Sequence, residues 1–181
     1  PKACRPSTSW DGLKRVRSTA FCGWPSSSWA HAQDLPFGLT FEVEAVAGEE
    51  DATLVMELDL FQEEDWVVST HSTDSMFGKV DVRFLDLPLL MPAGELTERP
   101  ESTWEVEHFS QLDIRVLRQD TEMRLPMRAT SSRDFEARGQ VFFVLEPLCM
   151  PFEVDFTVGR RAGVWTIEST GGRQAWFPGS D

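Results

Sequence analysis

The stretch Gly139-Gln-Val-Phe-Phe-Val-Leu-Glu-Pro-Leu-Cys149-Met-Pro-Phe-Glu-Val-Asp-Phe-Thr-Val158 decides the fold. Its first half contains an unbroken run of β-branched and other apolar residues, which is typical of a buried strand. Its second half alternates apolar and polar residues with the period of two that a half-buried strand requires. Pro147 and Pro151 lack the backbone N–H that a central ladder uses, so they bracket the connection Leu148-Cys149-Met150. The stretch therefore predicts a β-hairpin with a thiol at its bend.

The same alternation recurs along the chain in short segments about ten residues apart. No amphipathic helix pattern stands out between them. The long connection 86–110 contains four prolines or glycines and predicts one short strand near 104–106, and Pro126 predicts an edge position for its strand. Short strands at this spacing predict an all-β fold, an antiparallel immunoglobulin-like β-sandwich of about eight or nine strands. The other predicted strands are 40–46, 53–60, 66–70, 79–84, 112–117, 122–127 and 163–168.

The first 32 residues differ from the rest in charge and pattern. They carry a net charge of +4, whereas the remaining 149 residues carry −17. Ala30-His-Ala32 has the small-x-small form of a signal-peptidase site, but the residues before it are too rich in Ser, Gly and Pro for an apolar core. Two interpretations stay open, a poor export signal and a disordered tail. The predicted organisation is a leader-like or disordered segment 1–32, a sandwich domain 33–168 and a loose tail 169–181.

Composition argues against several classes of function. A net charge of −13 repels phosphate backbones, so no nucleic-acid partner is predicted. No apolar run approaches the roughly 20 residues of a membrane helix. A copper site would need two histidines beside the cysteine, but no histidine follows Cys149. The chain has no Cys-x-x-Cys and no paired histidine spacing, so neither a metal nor a cofactor is predicted. The three histidines are His31, His71 and His108.

One polar loop contains every residue type of a hydrolytic triad. Ser69, Ser72 and Ser75 surround His71 and Asp74. Triad geometry, however, depends on groups that separate elements bring together, and neighbouring positions in one loop rarely provide it. The favoured interpretation is a polar loop whose side chains bond nearby backbone groups.

Cys149 is the only cysteine outside the first 32 residues. A lone cysteine in a sandwich is often a small core residue, but the flanking prolines predict an exposed turn. Glu146 and Glu153 lie close in sequence, and no Lys or Arg lies within ten residues. Such charges raise a thiol pKa, so we predict a slow nucleophile.

Three segments together resemble the N-terminal, immunoglobulin-like domain of the bacterial thiol:disulfide interchange protein DsbD and its disulfide-bond-corrector relatives. They are 65–72, 78–84 and 139–156. The resemblance implies a periplasmic or extracellular β-sandwich that passes reducing equivalents from a thioredoxin-like partner to its targets. The family uses two cysteines across the hairpin. Cys149 matches the second, whereas the first falls at Phe143 or Val144.

The absence of the family's first hairpin cysteine separates two hypotheses about function. A dithiol relay needs a resolving thiol to release the mixed disulfide. We therefore expect an exported interaction module that cannot complete a dithiol exchange, and we do not expect independent enzymatic activity. In the alternative, a redox-accessory domain, Cys149 is the catalytic residue and forms a mixed disulfide with a thioredoxin-fold partner. The predicted partner contacts are Phe143, Val144, Pro147, Met150, Pro151 and His71.

Overall fold

A computed structural model describes residues 13–18, 35–46, 48–73, 78–107 and 111–174. Within these ranges the chain forms thirteen strands and no helix, so no helix there spans a bilayer. The strands are β1 (Leu13–Ser18), β2 (Phe37–Val46), β3 (Asp51–Leu60), β4 (Trp66–Val68), β5 (Asp81–Phe84), β6 (Leu90–Pro92), β7 (Thr97–Arg99), β8 (Thr103–Val106), β9 (Asp113–Leu117), β10 (Thr121–Ala129), β11 (Phe135–Glu146), β12 (Met150–Arg161) and β13 (Val164–Gln174).

The strands form two antiparallel sheets. The first has the order β1-β2-β3-β10-β6, and β7 also pairs with β10. The second has the order β13-β12-β11-β4-β9-β8, and β5 also pairs with β11. The predicted fold class, an all-β antiparallel sandwich, is confirmed.

Aromatic rings join the two sheets across the core. The ring centroid of Phe37 on β2 lies 4.8 Å from that of Phe143 on β11 and 4.9 Å from that of Phe152 on β12. Both contacts are edge-to-face, the arrangement that the quadrupole of the ring favours. Phe41 also meets Phe156 between the sheets, with ring centroids 5.2 Å apart and the ring planes tilted by 31°. Burial of each such ring contributes roughly 1.5–3 kcal/mol.

An ion pair holds the crossover from β5 to β6. Arg138 on β11 donates from Nη2 and Nε to the two carboxylate oxygens of Asp86, at 2.9 and 3.0 Å, and its backbone N–H adds a bond of 2.8 Å. These hydrogen bonds, with the nearby positive charge, lower the pKa of Asp86 to about 2.

The Asp86 contact predicts a specific acid dependence of stability. Because the folded pKa lies below the unfolded value near 3.9, the stabilisation is present above that value and is lost as the pH falls towards 2. We expect D86N to flatten the pH dependence of the unfolding free energy between about pH 4 and 2. Replacing the exposed Asp113 by asparagine is the matched control. A D86N slope equal to that of wild type would contradict the assignment.

The structure has more strands than the pattern predicted. The additional ones are β1, inside the segment assigned to a leader or tail, and the three-residue strands β6 and β7 inside the connection 86–110. β6 and β7 are short and flanked by prolines, so their sequences carry too few residues to show a period of two. β1 has the sequence Leu-Lys-Arg-Val-Arg-Ser, in which no apolar residue recurs at every second position, so it shows no core-facing period of two.

Two boundary predictions are also corrected. β13 continues to Gln174, beyond the predicted start of a loose tail at 169. Its last residues include Gly171 and Gly172, which carry no side chain to show alternation, although they pair with β12. Pro126 does not place β10 at a sheet edge, because β3 pairs with one side of the strand and β6 and β7 pair with the other. On the other side Pro126 falls between the short partners β6 and β7, where no ladder N–H is required.

Candidate functional site

The β11–β12 hairpin places the thiol at one end of the second sheet. The two strands pair continuously from Phe135 opposite Arg160 to Leu145 opposite Met150. Glu146 ends β11, so the turn consists of Pro147, Leu148 and Cys149 and begins one residue earlier than predicted. We call residues 147–150 the hairpin tip. Leu148 is 55% exposed there, next to the free thiol of Cys149.

Cys149 is free, and it is exposed on a turn as its flanking prolines indicated. Its φ is +50°, in the left-handed region, where a residue with a Cβ costs roughly 1–2 kcal/mol relative to glycine. Its backbone N–H donates to Oε2 of Glu146 at 3.1 Å, which closes the turn. The side chain of Glu146 therefore fixes the position of the thiol.

Carboxylates determine the acidity of this thiol. The hydrogen bond with Glu146 is the largest cause that raises the pKa of Cys149, followed by partial burial and the negative charges of Glu146 and Glu107. Glu146 itself is 8% exposed, so water screens its charge poorly. The predicted direction is confirmed, but Glu107 follows β8 and lies too far along the sequence to have been foreseen. The site keeps its sulfur protonated at neutral pH.

Neutralising Glu146 tests this electrostatic account. We expect E146Q to raise the rate at which iodoacetamide alkylates Cys149 at pH 7.5 by about 3- to 10-fold, because the thiolate fraction rises tenfold for each unit by which the pKa falls. The glutamine oxygen still accepts the Cys149 N–H bond. E136Q removes an equal charge from the same strand about 33 Å away and serves as the control. Equal rates for the two variants would contradict the account.

The predicted partner contacts divide into tip and core residues. Pro147 is exposed and Met150 is half-buried, so both lie on the hairpin tip. The prediction for Phe143, Val144 and Pro151 is wrong, because these side chains are buried. Phe143 packs in the core, and Val144 lies opposite Pro151 in the ladder. The N–H of Val144 donates to the carbonyl of Gly78, away from β12, so the missing donor of Pro151 costs no bond.

His71 lies beside the hairpin rather than on its tip. Its loop leaves the sheet after Val68 and returns where Val80 donates its N–H to the Val68 carbonyl. The same loop meets β11 at Val144 through Gly78. His71 is half-buried, and its backbone N–H donates to Oγ of Ser69 at 3.0 Å. The predicted role of His71 as a partner contact stays a prediction.

The apparent triad loop contributes to a buried polar network. Ser69 is fully buried, and its Oγ donates to Glu98 at 2.7 Å and accepts from Ser102 at 3.0 Å. The predicted local backbone bond is confirmed by His71, whereas Glu98 was missed because it lies 29 residues away on β7. A serine without solvent contact that is already bonded to a carboxylate is a structural residue, not a nucleophile. Asp74 and Ser75 lie outside the described residues.

Comparisons with protein-family models, with curated proteins and with solved structures find no match for this chain. In the ranges that the structure describes, no three His, Cys, Asp or Glu residues are grouped as metal ligands would be. Cys4, Cys22, His31 and His108 lie outside those ranges. The hairpin tip is therefore the candidate site that the geometry supports best.

Proposed function

We propose that this chain is an exported β-sandwich interaction module, periplasmic or extracellular, that presents its hairpin tip to a protein partner without running a full dithiol exchange. One observation carries the proposal. The exposed Cys149 stands beside an exposed leucine, while core residues fill both positions where a second hairpin cysteine would lie. The tip is an exposed turn that a partner can contact, and the hairpin has no second thiol to resolve a mixed disulfide.

The tip has the chemistry of a contact anchor. Leu148 projects an apolar side chain into solvent between Pro147 and Cys149, and Met150 follows at the edge of the core. Apolar side chains on a rigid turn bind a partner without a large entropic cost. The left-handed conformation of Cys149 is strain that a glycine would relieve. Strain of this kind, kept at an exposed tip, supports a functional role for the turn.

The electrostatics oppose rapid exchange. Attack on a disulfide requires the thiolate, and the pKa of Cys149 is raised by Glu146. Cys149 is the single cysteine among the described residues. A mixed disulfide formed there would have no neighbouring thiol on the hairpin to release the partner.

The exposed thiol also favours a second candidate function, the redox accessory. In that reaction the Cys149 thiolate attacks the disulfide of a thioredoxin-fold partner. The partner's S–S bond breaks, a Cys149–partner disulfide forms, and the partner's other sulfur leaves as a thiolate. No second thiol on this hairpin can resolve that disulfide, so it persists until the partner's released thiolate attacks it in the reverse reaction or another thiol reduces it, and the chain does not turn over by itself.

Site-specific photocrosslinking separates the two functions. Benzoylphenylalanine replaces Leu148 in one full-length chain and Val164, which is similarly exposed on the β12–β13 turn, in another. In extracts of the cells that make the protein, the proposal predicts a discrete adduct from position 148 that persists in C149S. An adduct that requires Cys149 and is released by reductant would instead establish the redox function. Equal reductant-resistant adducts from the two positions would contradict the proposal, and the absence of any adduct that requires Cys149 would contradict the redox function.

A further inference from the structure

Two glutamates on the outer face of the first sheet are unexpectedly buried. Phe41 and Val43 of β2 point into the core, so Glu42 and Glu44 point away from it. They are nevertheless 5% and 9% exposed. Carboxylates on the outer face of a sheet are usually solvated, and burying their charge is costly unless cations are close.

The sheet interior supplies one cation to this pair. Arg124 reaches across from β10 and donates from Nη2 to Oε2 of Glu44, and it also bonds Glu122 at 3.3 Å. The Arg124 guanidinium thus bonds two carboxylates, those of Glu44 and Glu122.

The register of β1 matches this acidic pattern. Arg15 lies opposite Glu44, and Arg17 lies opposite Glu42. Residues directly opposite in an antiparallel pair share a face, and opposite charges there stabilise the pairing. Lys14 lies opposite Ala45, on the other face. Arg15 and Arg17, but not Lys14, therefore occupy the register positions opposite the two glutamates.

β1 is also the outermost strand of its sheet. Its ladder partner is β2, and the eighteen residues 19–36 separate the two strands along the chain. A segment attached in this way binds an already formed edge, as a peptide does in strand addition.

A depression lies beside Glu44 at the end of β2, where Val46 pairs with Leu13. Its volume is about 410 Å³, and the lining includes Glu44, Glu49 and Asp51. Arg128 also lines it but is paired with Asp51. The depression thus offers negative charge next to the strand site.

We propose that the β2 edge, residues 41–46, is a docking site for an extended peptide segment with basic residues at alternate positions, and that β1 is the occupant such a segment displaces. Main-chain bonds of the ladder supply affinity, and Glu42 and Glu44 select the basic pattern. The net charge of −17 on residues 33–181 attracts a basic segment from a distance. This surface is separate from the hairpin tip.

Competition with β1 gives the test. The probe is a fluorescein-labelled peptide of residues 11–20, and its anisotropy is measured with full-length chains at low salt. We expect R15E/R17E to bind the peptide at least tenfold more tightly than wild type, whose own β1 competes at a roughly millimolar effective concentration. Adding E42Q/E44Q to that variant abolishes binding. The control K14E, which changes the face opposite Ala45, binds as weakly as wild type.

Several results would overturn the proposal. The first is equal peptide binding by wild type and R15E/R17E, and the second is peptide binding that survives E42Q/E44Q. The third is an R15E/R17E chain that binds the wild-type chain but not the free peptide, which would assign the edge to a second copy.

Hydrogen exchange on the wild-type chain provides a second test that needs no variant. In 0.5 M NaCl, we expect faster exchange in β1 and in the β2 amides that face it, with unchanged β2 amides on the β3 side. Unchanged exchange throughout would contradict the charge-selected pairing. The L148E variant binds the peptide normally, so failure of the tip proposal is distinguishable.

Discussion

Replacing Phe143 with alanine is expected to lower the free energy of unfolding by about 3–5 kcal/mol. The side chain is 1% exposed, and its ring lies 4.8 Å from Phe37 on the opposite sheet and 5.9 Å from Phe152 on the neighbouring strand. Truncation removes apolar burial and leaves a cavity that two sheets border. Because rings from both sheets form its walls, the site cannot collapse without moving one sheet. Urea denaturation of the full-length chain measures the loss.

Phe142 provides the matched control for this prediction. It lies on the same strand, but its half-buried side chain points away from the core. We expect F142A to cost about 1 kcal/mol. Similar losses for F142A and F143A would mean that the ring of Phe143 is not the link between the sheets. That result would also return Phe143 to the set of candidate contact residues.

The second large effect is expected at Gly139, where alanine should cost about 1–3 kcal/mol through overpacking. A Cβ at this position would lie 2.2 Å from Cζ of Phe156, its cross-strand partner. The Phe156 ring already contacts Phe41 and Phe84, with centroids at 5.2 and 6.1 Å, so it has little room to move. Glycine is required here to let an aromatic ring lie over the backbone. Thermal and urea unfolding report the change.

A double-mutant cycle identifies the cause of that cost. F156L shortens the ring that the new Cβ would strike, so G139A should cost less in the F156L background than in wild type. G38A is the control, because its Cβ would meet the movable carboxylate of Asp59 at 3.1 Å, and we expect about 0.5 kcal/mol or less. Additive losses at 139 and 156 would show that backbone conformation, rather than the ring, makes the glycine necessary.

Most strands of the fold could be predicted from the alternation of apolar and polar residues. The face predicted from Phe152, Val154, Phe156 and Val158 is buried in the structure. Period-two patterns work here because each long strand has one face in a shared core. They fail for β1, in which no apolar residue recurs at every second position, and for β6 and β7, which are three residues each. Such strands depend on partners that the local sequence does not name.

The candidate site was predictable at its centre and less so around it. The prolines flanking Cys149 indicated an exposed turn, and Glu146 indicated a raised thiol pKa. Phe143 and Val144 were predicted as partner contacts from the family's cysteine positions, and those positions do not show that both side chains are buried here. Leu148 was missed, although it is the most exposed apolar side chain of the tip. The approach of Glu107 to the thiol depends on sheet order, which local patterns do not contain.

The most direct test of the account is the alkylation rate of Cys149 in the intact wild-type chain. Iodoacetamide is added at pH 7, and mass spectrometry follows Cys149 alongside a free cysteine model peptide in the same solution. We predict slower labelling of Cys149 than of the model thiol, because Glu146 holds the sulfur protonated. Labelling faster than the model thiol would contradict a non-catalytic tip and favour the redox function.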